Sequence, residues 1–332
     1  MTENQILPFN KKRKRIVLKK FNTNPSFGKN PKDKTLKELL ENSYINLDKP
    51  EGPTSHQVDS WIKKILKTDK IGHSGTLDPN ATGVLPIGVG SATKLLQYLL
   101  TAGKEYIALM KLHKDCEPKK IKEICKGFIG KITQIPPVRS AVKREKRKRE
   151  IYYLEILEVK DREVLFKVGC ESGTYVRTLV VDIGKKLKSG AHLAELRRSK
   201  VGHITEDNSF NLYDLKDAMV FYSEDSDDTY LKKILRPVEE MLYYLPKIVI
   251  HDNAVNAICH GANLMKPGIV ELDSEIKKDD LLLILTLKGE AVAVSKAKLS
   301  TEEMVHVQKG ECAILKRVIM KTDIYPSVWK KS

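Results

Sequence analysis

The sequence has no run approaching the roughly 20 apolar residues that a membrane-spanning helix requires. Met1 to Asn10 also lacks the sustained apolar core of a secretory leader. A membrane-embedded or exported protein is therefore not expected, and an intracellular, soluble one is. Cysteine is sparse: Cys116, Cys125, Cys170, Cys259 and Cys312 form no CxxC pair, and no histidine stands at zinc-ligand spacing from them. Reduced, mostly buried thiols follow. No internal repeat is present. Acidic charge is short as well, with 43 Asp and Glu against 59 Lys and Arg, a net +16 and an isoelectric point near 9.4. That balance favours a polyanionic partner, nucleic acid first. On charge alone a protein with well-solvated lysines remains open, so the residue pattern has to decide.

A chain of 332 residues is long for one core, which points to a catalytic domain with an accessory module. Residues 1–43 read as a basic extension, with Lys11, Lys12, Arg13, Lys14 and Arg15 in one run and a short strand possible at Ile16, Val17 and Leu18. Order is expected from Tyr44, where Tyr44 to Leu47 has strand character and a turn follows at Asp48 to Pro53. Thr54 with Gln57 fits a helix capping box, and Val58, Trp61, Ile62, Ile65 and Leu66 recur at helical spacing as an apolar face. A glycine-rich loop from Gly72 to Gly83 comes next. Lys104 to Leu112, Glu150 to Val159 and Glu163 to Val168 read as strands, and Tyr175 to Leu187 as an amphipathic helix, so a mixed sheet flanked by helices is the expectation. A boundary near Pro246 separates residues 44–246 from a β-rich segment, 247–332, punctuated by Gly261, Gly268, Gly289 and Gly310; this reads as a small barrel.

One carboxylate stands out on physical grounds. Asp78 lies in the glycine-dense loop and precedes Pro79, which restrains it toward extended geometry. A fixed carboxylate can act as a nucleophile, but it needs a cation to keep it ionised once water is excluded. Arg177, entering a helix after Ser172-Gly173-Thr174, is the candidate. On spacing alone, a turn-forming aspartate before proline is the reading that Asp78 fits better.

The motifs around these residues go further. Gly72 to Pro86, GHSGTLDPNATGVLP, resembles the catalytic motif of the TruB-type pseudouridine synthases. Tyr44 to Ser55 resembles that family's first motif, Lys104-Glu-Tyr its tyrosine strand, Gly173-Thr-Tyr-Val-Arg-Thr-Leu its arginine motif, and Gly190 to Arg198 the segment closing the pocket. Ile135 to Arg144 followed by Arg149-Glu-Ile-Tyr-Tyr, the N-terminal extension, and a C-terminal segment similar to a PUA domain (His260 to Leu264, Pro267 to Val270) resemble the dyskerin-type branch. The resemblance implies a pseudouridine synthase fold, α/β (α+β) with a mixed, largely antiparallel central sheet, plus a PUA β-barrel. It implies Asp78 as nucleophile, Tyr106 stacking on the target base and a candidate for moving a proton, and Arg177 as the ion-pair partner of Asp78. Leu196 and Tyr175 would line the base site, with His73 accommodating the flipped nucleotide. No metal or redox cofactor is implied, because the reaction is an isomerisation.

Arg139 to Arg149 contains Lys143, Arg144, Lys146, Arg147, Lys148 and Arg149 against the single acid Glu145, a density that reads as a phosphate-binding loop, about 136–152. In the C-terminal segment Gly261 and Ala262 are expected to let RNA backbone approach, and Lys288 to reach phosphate. The resemblance implies as partners a box H/ACA guide RNA, substrate rRNA or tRNA, a small buttressing protein, a glycine- and arginine-rich protein and a kink-turn-binding ribosomal-type protein. Two alternatives stay open: a guide-independent tRNA T-loop enzyme, and a non-catalytic RNA-binding scaffold. The sequence also lacks the long lysine-rich C-terminal tail of nucleolar eukaryotic versions, so an archaeal-type, cytoplasmic protein is expected.

Overall fold

The computed structural model describes residues 7–8, 13–136, 143 and 145–327. These divide into two compact units, one built on Tyr44–Leu235 and the other from described residues within Lys11–Ser43 and Arg236–Ser332.

The first unit is built on a mixed sheet whose strands run in the order Asn42–Lys49, Ala81–Gly90, Ala191–Val201, Lys104–Leu112, Glu163–Cys170, Arg147–Lys160, Gly130–Gln134. The pairing of Ala81–Gly90 with Ala191–Val201 is parallel, whereas the pairings from Ala191–Val201 onward are antiparallel. Alternation along Lys104–Leu112 buries Ala108, Met110 and Leu112 on one face. There they meet Leu179, Val180, Ile183 and Leu187 from the helix Val176–Leu187, whose apolar stripe is the one its sequence periodicity outlines.

Local chemistry fixes the helix before the Asp78 loop. Thr54 accepts from the Gln57 amide at 3.1 Å while Gln57 accepts from the Thr54 amide at 2.8 Å, which starts the helix Ser55–Leu66. Val58, Ile62 and Leu66 are buried, but Trp61 is 41% exposed, so it is not part of the expected core face. The buried stripe follows i, i+4 spacing, and Trp61 falls on its flank.

In the second unit the strands run Arg15–Val17, Ile269–Asp273, Lys247–Ile250, Leu281–Leu285, Ala291–Ala297, Glu311–Val318, Leu264–Met265. Ile248, Leu272, Ile284, Val292 and Met304 lie in its core, and Ile16 and Leu18 pack against them. The basic N-terminal stretch, read from sequence as an extension with a short strand open to it at Ile16 to Leu18, supplies such a strand, Arg15–Val17, to this sheet. Arg15 anchors it, with Nη1 3.0 Å from Glu271 and Nε 3.2 Å from Asp273. Among the described residues, no helix is long and apolar enough to cross a membrane.

Candidate active site

The loop carrying Asp78 is held by buried polar groups on three sides. Lys49, wholly buried, donates through Nζ to the carbonyls of Pro50 (2.7 Å), Pro79 (3.1 Å) and Ala81 (2.9 Å). Burial pushes its pKa below the usual lysine range. Ser55 Oγ donates to the Leu77 carbonyl at 3.1 Å and accepts from the Leu77 amide at 3.0 Å. Arg198, 1% exposed, donates from Nη2 to the Gly75 carbonyl (3.1 Å) and from Nε to that of Val84 (2.8 Å). Both neighbours of Asp78 are therefore fixed through their carbonyls. Gly83 shows how close the strands come: at φ +102, a Cβ there would stand 2.3 Å from the Arg198 carbonyl oxygen.

Into this frame Arg177 projects from the first turn of Val176–Leu187 and places Nη2 2.9 Å from Asp78 Oδ2. The approach is set by a residue that sequence reading missed. Buried Gln134 accepts from the Tyr175 amide at 3.0 Å and donates to the Tyr175 carbonyl at 3.1 Å, locking the backbone two residues ahead of Arg177. The dry setting expected around the carboxylate is not present in the free chain: the Asp78 and Arg177 side chains are 60% and 55% exposed. An ion pair this open adds little to stability, of order 0–1 kcal/mol.

Tyr106 sits on the strand Lys104–Leu112 opposite Arg198, whose buried guanidinium interacts with the phenol. Burial raises the phenol pKa against the opposing pull of Arg198. Leu196 pairs with Ala81 on one side and Ala108 on the other, and packs with Tyr106 against the same apolar core. The strand Ala191–Val201 therefore lies between the strand that follows the Asp78 loop and the strand of Tyr106. Arg198 was legible only as one of two adjacent arginines, since register alone brings it under the site. His73 is held differently: Nδ1 lies 2.7 Å from Asp59 Oδ2, and Nε2 is 3.4 Å from Thr76 Oγ1.

The expected RNA contacts separate on inspection. Arg144 and Arg139 lie outside the described residues. Lys146 and Lys148 are exposed, Arg147 is half-buried, and Lys143 pairs with Glu145. Arg149 is drawn inward, with Nη1 3.8 Å from Glu171 Oε1, and its guanidinium lies about 3 Å from where a Cβ on Gly173 would be. Its position supports the turn ahead of Arg177. Gly261 (φ +101) and Ala262 are exposed at the end of the helix Asp252–Cys259, with open space around Gly261. Lys288 does not offer a free ammonium: Nζ donates to the carbonyls of Pro25 (3.2 Å), Phe27 and Gly28 (3.3 Å), which makes it a clasp on the N-terminal segment.

Comparison with known proteins agrees with this geometry. A curated relative from Methanopyrus kandleri, named a probable tRNA pseudouridine synthase B, is 49% identical over 97% of this chain and 96% of its own. One of the same name from Pyrococcus abyssi is 50% identical over 98% of each. The chain belongs to the TruB family of pseudouridylate synthases. It is accordingly a pseudouridine synthase, an isomerase. Residues 63–176 match the TruB family pseudouridylate synthase N-terminal domain, 177–243 the tRNA pseudouridylate synthase B C-terminal domain, 246–319 the PUA domain and 4–59 the DKCLD (NUC011) domain. Among solved structures, a chain of an H/ACA RNP bound to a substrate RNA containing 2'-deoxyuridine superposes with TM-score 0.93 at 45% identity, over 98% of this chain and 100% of that one. A chain of a Cbf5-Nop10-Gar1 complex gives TM-score 0.93 at 46% identity, over 98% and 99%. These matches place the dyskerin-type resemblance on firm ground.

Proposed function

We propose that this chain converts uridine to pseudouridine in rRNA and tRNA as the catalytic subunit of a box H/ACA guide ribonucleoprotein, with Asp78 as nucleophile. The observation that carries the reading is the Asp78–Arg177 contact of 2.9 Å in a loop clamped on both sides of the carboxylate. A guanidinium at that distance favours the ionised carboxylate, the form that attacks.

The chemistry uses only the chain's own groups. A uridine in folded RNA hides its glycosidic bond, so the nucleotide is flipped out at a cost of about a few kcal/mol in lost stacking. Tyr106 and Leu196 receive the base, Tyr175 borders the site, and His73 accommodates the neighbouring backbone. The flipped base covers the exposed carboxylate and supplies the dryness that the free chain lacks. Asp78 bonds to C1' of the sugar or to C6 of the base, the C1'–N1 bond breaks with its electron pair left on N1, uracil turns and C5 bonds to C1'; the Asp78 bond then breaks and returns the carboxylate, either displaced from C1' by C5 or eliminated from C6, while C5 loses its proton to solvent and N1 takes one up. Atoms balance, and no redox partner enters.

Residues 44–246 carry this chemistry, and residues 247–332 hold the ACA end of the guide, with Gly261 and Ala262 against its backbone. The guide RNA, a small buttressing protein, a glycine- and arginine-rich protein and a kink-turn-binding ribosomal-type protein complete the particle, in the cytoplasm of an archaeal-type cell. Support comes from the two solved relatives, whose particles contain substrate RNA or Nop10 and Gar1. The names of the curated relatives favour a second reading, direct action on tRNA. One assay separates them. Purified protein, with its reconstituted partners, is incubated with rRNA and with tRNA, each with and without an ACA-ended hairpin guide. Guide-dependent product on rRNA is expected, and robust rRNA turnover without a guide would overturn the assignment. Asp78→Asn should abolish product while RNA affinity stays within about threefold; surviving turnover removes Asp78 as nucleophile.

A further inference from the structure

A cluster of metal-ligating side chains stands beside the Asp78 loop; it shares His73 with the reading above, whereas His56 and Asp59 have no part in that chemistry. His56 and Asp59 lie three residues apart on the helix Ser55–Leu66, which puts them on one face, and His73 comes from the strand Ile71–His73. One ligand atom from each lies within 4.8 Å of the other two. The His56 and His73 rings meet edge to face, with centroids 5.0 Å apart.

We propose that His56, Asp59 and His73 form a binding site for one divalent transition-metal ion of the Zn2+ class. Three features of different kinds support it. Two imidazoles and a carboxylate suit zinc and its neighbours and do not suit magnesium or calcium, which take oxygen ligands. Asp59 Oδ1 is buried and has no hydrogen-bond partner, while Oδ2 is taken by His73; a buried carboxylate oxygen left unpaired is costly unless something cationic meets it. The three residues also line a common open cavity of about 510 Å³, together with Ser60, Lys63 and Gly72, so an ion can enter and the fourth position can hold water. Tetrahedral ligation at about 2.0–2.2 Å brings ligand atoms to within about 3.5 Å of one another, so small side-chain rotations close the set. No cysteine takes part, and the third ligand arrives from a separate strand, so cysteine counting along the sequence could not find the site.

The proposal is independent of how the enzyme selects its RNA, and its test does not use activity. The full-length chain is stripped with chelator, dialysed and titrated with ZnCl2 by calorimetry, then with Co2+ under visible absorption. One saturable site per chain is expected, with a tetrahedral nitrogen- and oxygen-ligand Co2+ spectrum free of the thiolate charge-transfer band. His56 is exposed, so His56→Ala leaves the fold intact and should weaken Zn2+ binding at least tenfold. Asp59→Asn, which keeps the shape of the side chain, should do the same. Absence of a saturable site, affinity unchanged in His56→Ala, or a thiolate band in the Co2+ spectrum would each overturn the assignment.

Discussion

Arg198 illustrates what a single buried cation can do. Its guanidinium is 1% exposed, yet its hydrogen bonds run to neutral acceptors, the Gly75 and Val84 carbonyls, with the Tyr106 phenol as its other electrostatic neighbour. Burying a cation without a carboxylate is expensive, and burial lowers the Arg198 pKa accordingly. For that cost, one planar fork spans the loop before Asp78 and the strand that carries Tyr106. Arg198→Lys keeps the charge and loses the fork. A displacement of about 1 Å at a reacting group costs about 100-fold, so the single-turnover rate should fall about 10- to 100-fold while RNA affinity changes less than about threefold. A wild-type rate, measured with guide and partners present, would remove Arg198 as a positioning residue. Asp78 and Arg177 were legible because each sits in a contiguous motif with its own glycine turn. Arg198 and Gln134 were not, because their importance lies in what strand register and a long-range amide pair set against them.

At the scale of elements, the short helix Leu96–Leu100 and the strand Lys104–Leu112 are joined by a buried lysine. Lys104 Nζ donates to the carbonyls of Leu99 (3.3 Å), Leu100 (2.7 Å) and Ala102 (2.7 Å) and to Ser172 Oγ (3.2 Å), satisfying a helix end that lacks a glycine cap. Burial, with Arg198 nearby, pushes its pKa from 10.5 down to about 7. Between these two values the unfolded chain holds the proton and the folded chain has released it. Stability therefore rises with pH across that window, by up to about 1.4 kcal/mol per pH unit from this group, and the contribution flattens below and above it. Denaturant midpoints from pH 6.5 to 10 should show the rise in the native chain, and Lys104→Met should remove it. Equal pH profiles for the two would show that Lys104 stays protonated throughout. The capped helices and alternating strands could be read from the sequence, since caps and periodicity are local. The strand pairing of residues 15–17 with Ile269–Asp273 and the exposure of Trp61 could not, because both depend on which neighbour the fold supplies.

For the whole molecule the governing quantity is a net charge of +16. Such a field draws RNA in without reading its bases, which suits the guide-directed action proposed above. The structure narrows which cations do this work. Lys288 is tied to backbone carbonyls and Arg149 to the Glu171 turn, so neither is a free phosphate ligand, whereas the exposed pair of Lys143 with Glu145 holds its ammonium only weakly. Lys146 and Lys148 are exposed on either side of the half-buried Arg147. Each phosphate contact to a single strand contributes about 0.7 to the slope of log affinity against log salt. Replacing both lysines by Gln should therefore flatten that slope by about 1.4, whatever the RNA sequence, whereas Lys288→Gln should leave it unchanged and lower thermal stability through loss of its clasp. Filter-binding titrations across a salt series, run beside melting curves, measure both effects. A slope that responds to Lys288 and not to the lysine pair would mean that the cation committed to carbonyls in the free chain is released to meet the RNA.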